Sequence, residues 1–510
     1  MEATLPLLLL LVLLLLFLVK LVAKNHSSPP LRLPPGPWQL PLVGSLHHLL
    51  LSRHGDLAHR TLRELSGEYG PLMMLRLGAV PTLVVSSAEA AREVMKTHDA
   101  AFASRHQTPT MDVFSCGGRD ILFSPYGDLW RQLRRLCVLE LFSARQVESF
   151  RRIREEEAAG LLRSVADTCA AQGGGAVVDI GERICRAMND SVARSALGAR
   201  CARRDEFLRE LHRAAQLVGG FNLADLYPSS RLARWLSRAL RESKRCNRNV
   251  RDIMGDIIRE HAVDDTGDGV GEEENLLAVL LRLQRDGDAQ CPLTTEIITT
   301  LIMEILAAGS ETSSTTLEWA MSELTRNPRV LLKAQAEVRE AFKGKDKPTE
   351  DDLQKLSYLP LVVKEAMRLH IPVPFLLPRV CRETCRVMGY DIPKGTKVLV
   401  NAWAIARDGK YWEEPEAFKP ERFERNNVGF NGVDFEYIPF GAGRRMCPGM
   451  ALGLTNMELA LASLLYHFDW ELPDGKKKGE ELDMSEACGL TAKRKSKLVL
   501  HATTRIPCTY

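Results

Sequence analysis

The chain has 510 residues, and 68 Lys and Arg against 65 Asp and Glu leave a formal net charge of +3. That balance excludes, on bulk charge, both a strongly basic nucleic-acid binder and an acidic solvating chain. Hydrophobic residues at 45% and charged residues at 26% suit a globular chain with a large core, and 12 cysteines are too sparse for a disulfide scaffold and read as reduced thiols.

From Leu5 to Val19 the chain is apolar without a break, and Leu21, Val22 and Ala23 extend the run beyond Lys20. A membrane span needs roughly 20 residues, with about 17 tolerated, and Lys20 can snorkel to the interface. The alternative is a cleaved signal peptide, whose apolar region runs about 7–15 residues after a basic start. Here the run is longer, only Glu2 is charged before it, and Lys20, Lys24 and Arg32 follow. An anchor with the remainder facing the cytosol is therefore expected. Pro29, Pro30 and Leu33-Pro34-Pro35-Gly36-Pro37, with Pro41, fix φ and remove donors, which predicts a stiff extended connector.

Further on, Leu72–Leu77 and Thr82–Ser86, split by Gly78 and Pro81, predict a hairpin. Helical patterns dominate from Ala88 to Ala171, Gly173 to Gly175 form a loop, and Asp264–Asn275 is a Gly- and acid-rich surface connection. Gly389–Val400, with Pro393-Lys394-Gly395 inside, predicts a second hairpin. The fold class is thus mainly α with a smaller β portion, in one domain. The longest helical pattern runs from Leu293 to Arg326, after Pro292 and before Asn327-Pro328. Its middle, Ala307-Ala308-Gly309-Ser310-Glu311-Thr312-Ser313-Ser314-Thr315-Thr316, gathers weak helix formers in an apolar setting. Such a weak spot marks a place where something flat packs, where the ladder opens, or simply a loose core helix.

Near the C-terminus stands Pro439-Phe440-Gly441-Ala442-Gly443-Arg444-Arg445-Met446-Cys447-Pro448-Gly449, followed by an apolar helical pattern from Met450 to Leu465. Cys447 falls just before a helix start, where the dipole and free N–H groups favour thiolate. Gly443 and Gly449 permit close backbone approach to a sulfur and a flat partner, and Arg445 offers a fork for a carboxylate. Zinc would want more Cys or His at close spacing. The sparse pair Cys381 and Cys385 reads better as strand residues, and a lone thiolate in a Gly-rich loop suits an axial haem ligand.

Phe440, Gly443, Arg445, Cys447 and Gly449 match the haem-binding signature of the cytochrome P450 family, which the whole chain resembles. Ala308-Gly309-Ser310-Glu311-Thr312 looks like its oxygen-activating helix, and Glu365 with Arg368 matches its Glu-x-x-Arg pair. Pro420-Glu421-Arg422-Phe423 matches the motif that completes that pair, and Trp130 with Arg134 resembles its Trp-x-x-x-Arg helix. Phe435 to Arg445 resembles the plant microsomal members, and the long helix with the segment around Trp319 resembles grass terpenoid-oxidising ones.

The resemblance implies residues 1–23 as a transmembrane anchor, 24–45 as a proline-rich hinge and 46–510 as a single haem-thiolate catalytic domain. It implies Cys447 as the ligand of haem b, and Arg445, Arg134, Trp130 and Arg379 as donors to the propionates. Thr312 and Glu311 would deliver protons, with Ala308 and Gly309 leaving room for dioxygen. Glu365, Arg368 and Arg422 would form a structural network. Phe114, Ile305, Ala308, Val373, Phe375, Leu376 and Leu490 would line an apolar substrate pocket, although relatives commonly carry Pro where Ile371 stands. No flavin or nicotinamide motif is present, so electrons would come from NADPH through cytochrome P450 reductase, with Arg131, Arg134 and Arg135 facing that partner. The expected activity is insertion of one oxygen atom from O2 into a small hydrophobic plant metabolite, a terpenoid such as a diterpene hydrocarbon, at the endoplasmic reticulum membrane and with no nucleic-acid partner. A flavonoid or phenolic hydroxylase, a reductase-independent haem isomerase and a non-catalytic haem-binding protein are the alternatives.

Overall fold

The computed structural model describes residues 31–198, 203–219, 222–264, 274–286, 293–426, 428–473, 482–487 and 489–508. The expected anchor at 1–23 lies outside these residues, as does most of the Asp264–Asn275 connection. Among the described residues no helix is long and apolar enough to cross a membrane.

Helices carry most of the mass, and the central one is Thr295–Arg326, 32 residues long. At about 1.5 Å per residue it runs roughly 48 Å, enough to cross the domain. Thr294 caps it by accepting from the Ile297 N–H at 3.3 Å, and Asn327 ends it before Pro328 opens the next helix. Its side chains are buried on nearly all sides, because Ile180–Leu197, Leu359–Leu369 and Met450–His467 pack around it. The predicted weak spot remains continuous α-helix: the Thr312 and Thr316 hydroxyls donate to the carbonyls four residues back, and no turn opens.

A methyl group at Gly309 would approach both Val192 γ-carbons to 3.1 Å, so the glycine also lets the Ile180–Leu197 helix close on the long helix.

The main sheet has five strands in the order Leu72–Leu77, Val80–Val85, Lys397–Val400, Arg379–Val380 and Ser104–Arg105. The first predicted hairpin is present, with its second strand starting at Val80. The second is not. Tyr390–Ile392 folds back on Cys385–Val387, and Lys397–Val400 runs parallel to Val80–Val85. Cys385 is a strand residue, whereas Cys381 follows the Arg379–Val380 strand. The proline connector is docked on this sheet: the Met74 N–H donates to Pro35 O at 2.8 Å, and any side chain at Gly36 would collide with the Met74 carbonyl.

Candidate active site

Three segments meet at the cysteine loop. Gly441 and Gly443 both have positive φ, at 70° and 67°, which turns the chain sharply before the Met450–His467 helix. A side chain at Gly443 would collide with the Met95 carbonyl and with Asp99. The Cys447 N–H donates to Phe440 O at 3.0 Å, closing the loop, while the Phe440 ring packs edge-on against Phe430. Gly449 caps the helix without a side chain, against Phe142. Gly453, the fourth residue of that helix, faces Ser313 of the long helix, next to Thr312.

Cys447 is solvent-accessible on this loop. Burial pushes its thiol up, and the Gly449 N–H and the Arg134 charge pull it back down.

Around the cysteine loop the arginines are bonded largely to carbonyls. Arg445 donates to Ala103 O at 2.6 Å and to Ser124 O, and its guanidinium lies 4.1 Å from the Trp130 ring centroid. Arg134 donates to Met446 O at 2.6 Å, and Arg379 to Ala442 O at 2.9 Å and Asp99 Oδ1 at 3.2 Å. Trp130 Nε1 donates to Ile121 O at 3.1 Å, so in this structure its N–H belongs to the loop, and its ring serves as the platform under Arg445. Sequence reasoning missed two members. Arg105 donates to Leu122 O at 3.0 Å and Leu377 O at 2.6 Å, and Asp99 Oδ2 accepts from the Arg444 backbone at 2.9 Å. Burial, then mutual repulsion with Arg445 and Arg379, lowers Arg105; burial, then Arg379, lowers Arg445.

Above the loop, Thr312 Oγ1 donates to Ala308 O at 2.7 Å. Glu311 Oε1 accepts from Thr491 Oγ1 at 2.9 Å, and Oε2 pairs with Lys493 at 2.7 Å. Lys493 is a further residue the sequence did not single out.

The substrate candidates fall into contiguous apolar surfaces. Ile305 is buried in the cluster that Phe114 and Ala307 flank, and Phe114 also joins Leu490 around Met111, Phe123 and Val218. Phe375, Leu376 and Leu490 line a cleft that runs out past His59, Asp225 and Lys397. Leu376 has φ of 52°, and its side chain reaches the Gly441 turn, joining cleft to cysteine loop. Ala308 is half-buried, and Val373 is half-buried at a turn where it accepts from the Leu376 N–H at 2.9 Å.

Glu365, Arg368 and Arg422 meet away from the cleft. Arg368 grips Glu365 bidentately at 2.8 and 2.9 Å, Arg422 Nε reaches Glu365 Oε1 at 3.0 Å, and the Lys419 N–H donates to the same oxygen at 2.8 Å. Arg368 also donates to Ala406, Pro415 and Ala417 carbonyls, so this buried triad ties the Leu359–Leu369 helix to the segment leading to the cysteine loop.

The sequence profile described as cytochrome P450 matches residues 34–499, and the chain belongs to that family. It is a cytochrome P450 monooxygenase, an oxidoreductase. Dolabradiene monooxygenase of Zea mays is 52% identical over 491 residues, covering 96% of each chain. Zealexin A1 synthase of Zea mays is 53% identical over 483 residues, covering 94% of each. A zebra fish cytochrome P450 solved with abiraterone superposes with a TM-score of 0.73 at 28% identity, covering 88% of this chain and 99% of that one.

The family implies a haem cofactor, and the residues present fit one. The Cys447 thiol is accessible on the glycine-rich loop. Beside it Arg105, Arg379 and Arg445 are buried together, with Asp99 and Asp120 as the carboxylates that act on them. Buried guanidinium groups stay charged and want anionic partners, which the two propionates of a haem would provide.

Proposed function

We propose that this chain is a membrane-anchored haem-thiolate monooxygenase that places one oxygen atom from O2 into a terpenoid hydrocarbon, of the diterpene class, using electrons from NADPH delivered by cytochrome P450 reductase. Haem b held by Cys447 would supply the reductive activation of O2. Arg105, Arg134, Arg379 and Arg445 hold its propionate edge, with Trp130 supporting Arg445. Phe114, Ile305, Ala308, Val373, Phe375, Leu376 and Leu490 exclude water and orient the substrate. Thr312 Oγ1 and Glu311 handle protons above Cys447.

The observation that carries the substrate class is that Phe114, Ile305, Phe375, Leu376 and Leu490 form contiguous apolar surfaces. Ser310 Oγ accepts from Asn189 Nδ2 at 3.2 Å, and Thr491 donates to Glu311. A phenol presented to such a wall would leave polar groups unmatched, at about 1–3 kcal/mol each. The relative named for dolabradiene, a diene, supports the same choice.

Exposed apolar side chains support the membrane setting. Leu31, Leu33, Trp38, Leu40 and Leu42 lie on one segment, Leu232, Trp235 and Leu236 on another, and Tyr227 Oη donates to Leu42 O to join the two regions. Together with the apolar run at 5–23, they favour the endoplasmic reticulum membrane with the domain in the cytosol. On the thiolate side Arg135 is exposed beside exposed Val138 and Leu139, a surface suited to an acidic flavoprotein.

The test is reconstitution with a plant reductase, supplying diterpene olefins and flavanones separately. Oxygenated diterpene is the expected product. Efficient flavanone turnover with no diterpene oxidation overturns the substrate class and leaves the monooxygenase assignment standing.

A further inference from the structure

Asp120 and Glu304 are both buried, one on the loop over the arginine cradle and the other on the long helix. Asp120 Oδ1 accepts the Phe123 and Ser124 N–H groups at 2.7 and 2.6 Å, and Glu304 Oε2 accepts the Ile121 N–H at 3.2 Å. The remaining oxygens, Asp120 Oδ2 and Glu304 Oε1, are buried with no hydrogen-bond partner, and Glu304 accepts from Ile121, the residue next to Asp120, which brings the two carboxyl groups to the same turn of the loop. Two adjacent carboxylates cannot both ionise in a desolvated site.

We propose that Glu304 and Asp120 share one proton, Glu304 Oε1–H donating to Asp120 Oδ2, and that this bond pins the cradle loop to the long helix. The pair thereby acts as positioning residues for the haem edge, an inference that rests on assigning the cradle to haem.

The consequence follows from what the loop holds. Its Ile121 and Ser124 carbonyls receive Arg445, its Leu122 carbonyl receives Arg105, and Ile121 also receives Trp130. Removing the shared proton leaves two buried negative charges facing each other, which drives the loop off the helix and loosens these contacts.

The surroundings decide where the proton sits. Burial raises Asp120 to about 6, while the Phe123 and Ser124 N–H groups, Glu304 and then Arg445 pull it back down, so it is the easier of the two to ionise. On Glu304 burial acts first and Asp120 second, both raising it well above the ordinary carboxyl range, and the other ionisable group it influences is Cys137, itself beside Arg134. An acid raised on folding stabilises the folded state while protonated, and that contribution is lost as pH rises through the raised value. Attachment of the loop should therefore weaken on the alkaline side.

Infrared spectroscopy of the holoenzyme tests this directly. Glu318 and Glu458, each raised to about 7, are ionised by about pH 9. A carboxylic-acid C=O band that shifts in D2O is expected to persist there in the wild type and to vanish in Glu304→Gln. It should also vanish in Asp120→Asn, whose amide can donate to an ionised Glu304. Glu304→Gln keeps the donor without titrating, so its alkaline haem loss should move to a pH higher by about one or more. Absence of the band in the wild type, its survival in either variant, or superimposable haem-loss curves for wild type and Glu304→Gln overturns the proposal. The infrared band is independent of turnover, so a wrong substrate class leaves the test intact.

Discussion

Lys493 Nζ lies 2.7 Å from Glu311 Oε2 while Thr491 Oγ1 holds Oε1, so both oxygens of this carboxylate are committed to the segment that closes the site. Lys493 also meets His212 Nδ1 at 3.3 Å on the exposed side, giving a polar line from the surface to Glu311. Thr312 donates back to Ala308 O and must release that bond to hand on a proton. Thr312→Ala is expected to keep haem and substrate binding but to lower product formed per NADPH about tenfold or more, with peroxide rising. Unchanged coupling removes Thr312 from proton delivery. Lys493→Met frees one oxygen of Glu311 and should alter the solvent isotope effect on product formation while leaving the reduced carbon monoxide spectrum as it was.

Cys447 is accessible at the end of the loop that Gly441 and Gly443 turn, with its N–H tied to Phe440 O. Cys447→Ala should abolish the red-shifted Soret band of the reduced carbon monoxide complex, since no thiolate would remain to push charge into the iron. Survival of that band identifies another ligand.

Glu365 has no exposed surface and receives two arginines and a backbone N–H, so truncating it strands Arg368 and Arg422. Glu365→Ala is expected to cost about 3–5 kcal/mol, read as loss of folded, haem-loaded protein on purification. Arg368→Lys keeps the charge but gives up the fork and the three carbonyl contacts, and should be nearly as damaging. Normal haem content in either variant shows that the network does not hold the loop.

What the sequence revealed was local. The cysteine loop is a single stretch, and Glu365 and Arg368 sit three apart on one helix face, so a short motif of the family they resemble exposes them. Residues assembled across the chain were not legible: Arg445 meets the Ala103 carbonyl at a separation of 342 residues, and Glu304 meets Ile121 at 183. No periodicity encodes such meetings, and Arg105, Asp99, Lys493 and the Asp120–Glu304 pair went unread for that reason. The second hairpin was misread because Tyr390–Ile392 and Lys397–Val400 both look like strands, while their partners are chosen by the tertiary fold. At Gly309 the sequence shows that a side chain is missing, but the contact with Val192 that a side chain would crowd becomes visible only in the fold.

Glu458, on the helix that follows Cys447, supplies a pH prediction. Burial raises its carboxyl to about 7, and Lys364 opposes the rise. The sign follows from proton uptake: between the ordinary value and the raised one the folded chain binds more protons than the unfolded chain, so stability falls as pH rises through that window. A tenfold difference in proton affinity between the two states corresponds to about 1.4 kcal/mol, and because Glu458 is only half-buried the realised loss should be roughly 1–2 kcal/mol. Glu458→Gln cannot ionise and should remove this slope. Denaturant midpoints of the holoenzyme at about pH 5.5, 7 and 8.5 check it: the wild type should weaken relative to Glu458→Gln as pH increases. Parallel curves for the two proteins mean that Glu458 titrates as it would in water, and that its burial exerts no force on the helix behind the cysteine loop.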